Sequence, residues 1–279
     1  MSEYQYYEFL AIDRPLTGKQ MGELRAYSTR ARITATGFVN EYQWGDFKGD
    51  KDAWMELYFD AFLYVANWGT NILMFRLPAA ALPVKTAKAY CRSDAASVRL
   101  KTGNTILTFR SEDESGGEEI TGDGLLATLV SLRADLINGD LRALYLAWLL
   151  GVQNGAVDDD QLEPPVPAGL AELTGPLAAL VEFLRIDESL VAAAAQHSAP
   201  PGKTKLAKSA VAKWVRGLPV KDKDQLLTRI VTEDAQSVAL ELRRDMQAAG
   251  NPRVSAAVGE RRSVGTLLRA ARELGGSLP

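Results

Sequence analysis

The 279-residue chain carries 32 Lys and Arg against 35 Asp and Glu, a formal net charge of −3, and 47% of its residues are hydrophobic. This composition is ordinary for a globular protein, and no stretch approaches the roughly 20 apolar residues that a transmembrane helix needs. One cysteine and one histidine exclude an internal disulfide and any single-chain metal site built from several thiolates or imidazoles. The composition is compatible only with metal sites that are rich in carboxylates, which bind magnesium or calcium.

Charged and aromatic residues are distributed unevenly along the chain. Residues 1–120 hold 14 basic and 16 acidic side chains, residues 121–200 hold 3 and 11, and residues 201–279 hold 15 and 8. Sixteen of the 22 Phe, Trp and Tyr lie in the first 80 residues. The chain therefore divides into an aromatic N-terminal part, an acidic middle and a basic end, and its length favours more than one domain.

Strand-like and helix-like patterns alternate in the N-terminal part. Runs of aromatic and β-branched residues predict strands over residues 4–12, 32–44 and 71–78, the second of them bent at Gly37. Two alternating runs about the turn residues TGN predict a hairpin over residues 97–110. Helical spacing predicts a helix after the N-cap Thr17 and a second over residues 51–68, which is apolar on so much of its surface that we expect burial on two sides. This order predicts a small α/β sandwich with ferredoxin-like layering.

Helical patterns fill the chain from Leu125 onward. Short amphipathic segments with brief joints predict an irregular, solenoid-like α-helical domain, although no fixed-period repeat occurs. The expected fold class is α+β, with an α/β sandwich domain over 1–111, a polar linker over 112–124 and an α-helical domain over 125–279.

The stretch DLRALYLAWLLGVQNG, residues 140–155, has the clearest pattern in this helical part. Asp140 is the expected N-cap, and a core-facing stripe recurs at steps of three and four residues, formed by Leu141, Leu144, Tyr145, Trp148, Leu149 and Val152. The opposite face is too apolar for solvent, since it consists of Ala143, Leu146, Ala147 and Leu150. We expect that face to be covered by a neighbouring helix or by a partner.

Three stretches, YYEFLAIDRPLT, DLRALYLAWL and EPPVPAGL, resemble sequences of a bacterial protein family that has no assigned activity. The resemblance extends over most of the chain. It implies no activity, because no catalytic residue is assigned in that family.

Residues PGKTKL, 201–206, contain the Gly-Lys-Thr that ends a phosphate-binding loop. The first glycine of that motif would fall at position 197, which is His197, and the preceding segment resembles a helix followed by prolines. We therefore favour a helix cap at Thr204 over a nucleotide site.

Other candidate catalytic groups lack partners in the sequence. His197 could act as a general base, but its neighbours offer no nucleophile and carboxylate, so a helix-end histidine is favoured. Arg92 could lower the pKa of Cys91, yet a structural cysteine is favoured. The consecutive acids Asp158, Asp159 and Asp160 and those of residues 112–119 are interpreted as solvated charge. No cofactor is predicted, and enzymatic activity is left uncertain, with none favoured.

The N-terminal aromatic residues could form a stacking platform for single-stranded nucleic acid. Such a platform carries interleaved Lys and Arg, which are missing around Tyr4, Tyr6, Tyr7, Tyr42 and Trp44. We expect these rings to pack against the predicted helix that contains Trp54 and Trp68.

The dense Lys and Arg of the C-terminal part are the clearest binding signal. Such density can hold a nucleic-acid backbone or an acidic protein surface, or it can dock on the acidic middle segment. The candidate partner-binding residues are Lys203, Lys205, Lys208, Lys213, Arg253, Arg261, Arg262, Arg269 and Arg272.

The sequence predicts a cytoplasmic interaction or scaffold protein that binds a macromolecular partner, most simply another protein, through its helical domain. The start of the chain lacks a signal-peptide pattern, and no membrane partner is expected. The alternative is an accessory protein that binds nucleic acid through its basic C-terminal segment. An enzyme that uses carboxylates and magnesium is the third class.

Overall fold

The structure of the protein is a computed structural model that describes residues 3–113, 121–200, 208–232 and 261–276, together with residues 238 and 242. Within these residues seven strands form one sheet: β1 (Gln5–Leu10), β2 (Arg32–Thr34), β3 (Gly37–Tyr42), β4 (Ala61–Ala66), β5 (Thr70–Pro78), β6 (Ala96–Lys101) and β7 (Asn104–Glu112). The strand order is β2-β3-β1-β4-β5-β7-β6, and all neighbouring pairs are antiparallel.

Three helices lie between the strands and the others follow them. The first set is α1 (Gly18–Arg25), α2 (Lys51–Leu57) and α3 (Val84–Ala87). The described helices of the second set are α4 (Leu125–Leu129), α5 (Ser131–Ile137), α6 (Arg142–Gln153), α7 (Gly175–Leu184), α8 (Glu188–Ala195), α9 (Lys208–Gly217), α10 (Val220–Thr232) and α11 (Val264–Glu273).

Both faces of the sheet are covered by apolar side chains. On one face, Phe9 and Phe62 pack with Leu24 of α1 and Trp54 of α2. On the other face, strand residues such as Leu73 join one cluster with residues of α4, α5, α6, α7, α8 and α11. Burial of apolar surface is the main stabilising contribution in such a core, so the sheet and the later helices share one hydrophobic cluster.

The predicted helix over residues 51–68 is wrong in its second half. Helix α2 ends at Leu57, and β4 begins at Ala61 as a central strand between β1 and β5. All six residues of β4 are buried because both faces of the sheet are covered, so the strand lacks the apolar and polar alternation of a half-buried strand. Trp68 lies in the turn between β4 and β5, outside any helix.

Asp60 separates α2 from β4 by making tertiary contacts that no local pattern shows. Its fully buried carboxylate accepts hydrogen bonds from the backbone N–H groups of Ile12 at 2.7 Å and Asp13 at 2.9 Å. Its other oxygen lies 2.7 Å from Nη2 of Arg76. These bonds satisfy a carboxylate that would be costly to bury alone, and they hold the start of β4 beside the end of β1.

Several local predictions are confirmed. Thr17 caps α1 with the reciprocal hydrogen bonds of a capping box to Gln20. β6 and β7 form the predicted hairpin, with Thr102 at φ 47° and Gly103 at φ 75°, as a two-residue turn of this type requires. The bent strand of residues 32–44 is two paired strands, β2 and β3.

The stretch 140–155 forms α6, which lies inside the fold. The helix begins at Arg142, and the carboxylate of Asp140 accepts a hydrogen bond from the backbone N–H of that residue at 3.0 Å. The stripe residues Leu144, Tyr145, Trp148, Leu149 and Val152 are buried, and so is the opposite face, formed by Ala143, Leu146, Ala147 and Leu150. The fold itself therefore covers the second face, and no partner is needed for it.

The structure confirms the α+β class. The ferredoxin-like layering of the N-terminal part and the solenoid-like form of the helical domain stay predictions. Of the predicted linker, Glu112 ends β7, and residues 114–120 lie outside the described residues. No described helix is long and apolar enough to cross a membrane.

Candidate functional site

A buried polar cluster joins the acidic middle of the chain to its basic end. One carboxylate oxygen of Glu163 accepts a hydrogen bond from Nε of Arg262 at 2.5 Å, and the other accepts one from Nη2 at 3.0 Å. The hydroxyl of Tyr145 in α6 donates to the same carboxylate. All three side chains are buried. Burial raises the pKa of Tyr145 well above its ordinary range, so the phenol stays protonated as a donor.

The only histidine of the chain lies at the edge of this cluster. Nη1 of Arg262 donates to the carbonyl of Ala193 at 2.9 Å and lies 2.9 Å from Nδ1 of His197. Because a guanidinium only donates, Nδ1 of His197 is the acceptor in this contact. This contact shows a histidine that helps to hold Arg262.

The cluster brings residues 197 and 262 together although 65 positions separate them. On one side, the backbone N–H of Gly169 donates to the carbonyl of Ala199 at 2.8 Å. On the other, Glu163 N–H donates to the carbonyl of Arg262 at 3.1 Å, and α11 buries Val264 and Leu267 in the core. Residues 199 and 262, at the two ends of the intervening segment, are therefore held in the same part of the fold.

Residues 201–260, called the excursion below, hold 11 Lys or Arg and 7 Asp or Glu. Most of their described part consists of α9 and α10, which are joined at Leu218 and Pro219. The described residues of α10 include no buried side chain. Five large apolar side chains are exposed there and are called the α9–α10 face: Val215, Val220, Leu227, Ile230 and Val231.

Three side chains of the α9–α10 face are more exposed than any large apolar side chain described elsewhere in the helical part. Val231 is 85% exposed, Val220 72% and Leu227 63%, whereas comparable side chains in α6 are fully buried. Leu227, Ile230 and Val231 follow helical spacing, so they lie on one side of α10. Apolar side chains grouped in this way on a surface mark a binding site, because their exposure to water is unfavourable.

The predicted partner-binding residues occupy different environments. Lys213, Arg261, Arg269 and Arg272 are exposed, and Arg269 donates to the carbonyl of Gly265 within its own helix. Arg262 is buried in the cluster with Glu163, so its charge is compensated inside the chain. Lys208 begins α9, but its side chain and the residues Lys203, Lys205 and Arg253 lie outside the described part of the chain.

A groove of about 1140 Å³ runs between α7 and α8 and is called the α7–α8 groove below. Its floor is made of small or aliphatic side chains, among them Ala178, Val181 and Ala192. Glu182 and Glu188 line it, and neither forms an ion pair with a residue that the structure describes. Arg185 also lines it, but its Nη1 is engaged by the carbonyl of Gly69 at 2.8 Å.

The structure assigns no reactive chemistry to the other sequence candidates. Burial raises the pKa of Cys91 to about 12, which leaves it as a thiol rather than a thiolate. Within the described ranges no three His, Cys, Asp or Glu side chains converge in a way that could hold a metal ion. The phosphate-loop candidate and its alternative, the cap at Thr204, lie outside the described residues.

The aromatic side chains of the N-terminal strands pack in the core. The ring of Tyr7 stacks on Phe47 at 4.8 Å between centroids, and Trp54 meets Phe38 edge to face at 4.9 Å. Trp44 is exposed, and Arg30 lies over its ring at 5.0 Å. Most of these rings are therefore unavailable for stacking on bases.

Sequence reasoning missed Glu163 as the partner of Arg262. The two residues are 99 positions apart, and Glu163 stands in a proline-rich acidic loop that resembles solvated charge. The sequence held one signal of such pairing, because residues 121–200 have a net charge of −8 and residues 201–279 one of +7. This difference does not identify which acidic residue pairs with which basic residue.

Comparison with protein-family models, with curated proteins and with solved structures finds no match for this chain.

Proposed function

We propose that this protein is an interaction or scaffold protein whose excursion carries the partner-binding element. The observation that supports the proposal is the α9–α10 face, a group of exposed apolar side chains on two helices of a segment that both starts and ends at the same point of the fold. A rigid fold that presents such a segment holds it in place without burying it.

The proposed partner is a protein surface that combines an apolar strip with acidic side chains. Lys213, Arg216 and Lys221 are exposed on the two helices that carry the face. Apolar contacts would supply most of the affinity, while the opposite charges would speed association and orient the partner.

Nucleic acid is the second candidate, and the same three basic side chains favour it. A phosphate backbone binds to basic side chains but makes no favourable contact with the exposed Val231 and Leu227. A protein partner therefore fits the surface better. The single cysteine agrees with a reducing compartment, and the cytoplasm is the proposed location.

Affinity recovery from native cells tests the proposal with three forms of the full chain. Wild type is expected to retain a stoichiometric protein, and Leu227→Glu is expected to lose it, because a charge would enter the apolar contact. Gln225→Glu is the matched control, since it adds the same charge on the opposite side of α10 and is expected to behave as wild type.

Equal recovery by wild type and Leu227→Glu would contradict the proposal. Retention of nucleic acid that falls by about three orders of magnitude between about 50 and 200 mM salt would favour the second candidate.

A further inference from the structure

We infer that the α9–α10 face of one copy of this chain docks in the α7–α8 groove of a second copy. The inference rests on the proposed function, because it names the partner of the surface already described. It assigns a role to the groove as well, which the proposed function leaves unused.

The two surfaces match in length and in the size of their side chains. Helix α7 has ten residues and is about 15 Å long, and the four face residues of α10, from Val220 to Val231, extend over about 16 Å. The groove presents Ala178, Ala179 and Ala192, whose small side chains let another helix approach closely. The face presents long branched side chains such as Leu227 and Ile230, which can insert between them.

The two surfaces also have opposite charge. Glu182 and Glu188 line the groove without an ion pair to any described residue, while Arg185 donates back into its own fold. Helix α9 carries Lys213 and Arg216. Helix α10 is mixed, since its first turns contain Lys221 and Lys223 together with Asp222 and Asp224. The α9 end of the face is therefore the part that we place nearest the glutamates.

We choose a second copy as the occupant because the described residues of one chain leave both surfaces open and the two surfaces are complementary. None of the described residues that line the groove belongs to α9 or α10. If two copies exchange their excursions, each supplies one face and one groove. The dimer then has two equal contacts related by a two-fold axis, which together can supply the roughly 800 Å² per partner of a stable interface.

Sedimentation velocity of the full-length protein over a range of concentrations tests the inference. Wild type is expected to be dimeric at micromolar concentration. Leu227→Glu is expected to weaken dimerisation by about a hundredfold, and Ala192→Arg, which fills the groove with a cation, by a similar factor. Gln225→Glu is expected to dimerise as wild type. Both Ala192 and Leu227 are exposed, so we expect each variant to melt as wild type does at concentrations below those at which wild type dimerises.

Mixing the two defective variants separates exchange between copies from docking within one chain. Leu227→Glu keeps an intact groove and Ala192→Arg keeps an intact face, so their mixture is expected to form a heterodimer with one contact although each is monomeric alone. A mixture that stays monomeric overturns the inference. A wild type that is monomeric at concentrations on the order of 100 μM overturns it too.

The outcome also distinguishes this inference from the proposed function. If wild type is monomeric but still recovers another protein in a way that Leu227→Glu abolishes, the function stands and the self-docking inference fails. If wild type dimerises and Leu227→Glu has no effect on the dimer, the inference fails, because the face then takes no part in self-association.

Discussion

Asp60 shows how one side chain can set the path of the chain. It is fully buried, it accepts two backbone hydrogen bonds, and it pairs with Arg76. Arg133 approaches the same oxygen at 3.9 Å and donates to the carbonyl of Arg76 at 2.7 Å. One carboxylate thus ties β1, β4, β5 and α5 together at one corner of the sheet.

We expect Asp60→Asn to lower the free energy of unfolding by about 3–5 kcal/mol, because it leaves buried guanidinium charge uncompensated. Asp52→Asn is the matched control, since Asp52 pairs with Arg99 at a site about 40% exposed and should cost less than about 1 kcal/mol. Urea denaturation measures both. Equal losses in the two variants would contradict the importance of burial at Asp60.

Glu8 in β1 makes stability depend on pH. Burial raises its pKa above the ordinary 4.5, and the hydrogen bond from the Tyr6 hydroxyl at 3.0 Å offsets this only in part. The folded protein therefore binds this proton more tightly than the unfolded chain does. The contribution of Glu8 is fully present below pH 4.5 and is lost as the pH rises through the raised pKa.

We expect Glu8→Gln to remove this loss, so that the stability of the variant relative to wild type increases from about pH 4 to about pH 7. Urea denaturation at several pH values measures the difference. Glu41→Gln, on the neighbouring strand and exposed, should follow the wild-type profile. A constant difference between Glu8→Gln and wild type over this range would show that Glu8 titrates alike in both states.

At the scale of elements, α6 is apolar on both faces and α10 is amphipathic, and the two helices occupy opposite environments. Both carry apolar side chains at helical spacing, yet Leu146 of α6 is fully buried and Leu227 of α10 is 63% exposed. The neighbours of α6 include α7 and α8, which lie on it in the core cluster. Helix α10 has no buried residue among those described. The neighbours that pack on each helix therefore separate the buried α6 from the exposed α10.

We expect Leu146→Ala to lower the free energy of unfolding by about 2–5 kcal/mol, since it leaves a cavity in the core. Leu227→Ala makes the same chemical change in α10 and should alter stability by no more than about 0.5 kcal/mol. Thermal and urea unfolding of the monomer compare the two. A large loss in Leu227→Ala would show that α10 packs on the fold.

On the scale of the whole molecule, the described residues of the excursion lie outside the two hydrophobic clusters. This holds for Val238 as well, which is buried but is a member of neither cluster. Helix α11, by contrast, contributes Val264, Leu267 and Ala271 to the large cluster. Helix α11 is therefore part of the core, whereas α9 and α10 are not.

We expect replacement of residues 201–260 by a short Gly and Ser linker to leave the melting temperature within a few degrees of wild type. Removal of all residues after 200 should lower it far more, because α11 and the partner of the buried Glu163 are lost. Calorimetry compares the two shortened chains. A similar drop in both would mean that the excursion is part of the cooperative fold.

Local chemistry was predictable from sequence. The cap at Thr17, the Thr102-Gly103 hairpin and the amphipathic helices depend on near neighbours, and the α+β class follows from their order. The division of residues 51–68 into α2 and β4 was not predictable, because a strand buried on both faces has the same apolar run as a buried helix.

What the sequence determined by itself is therefore the set of local elements and the concentration of basic residues at the C-terminal end. Only the tertiary structure decided which apolar helices are covered and which charges are paired. It placed Arg262 against Glu163 and left Leu227 exposed, although both residues belong to the same basic region. The physical reason is that burial and pairing depend on neighbours distant in sequence, and those neighbours exist only after the sheet and the helices have packed.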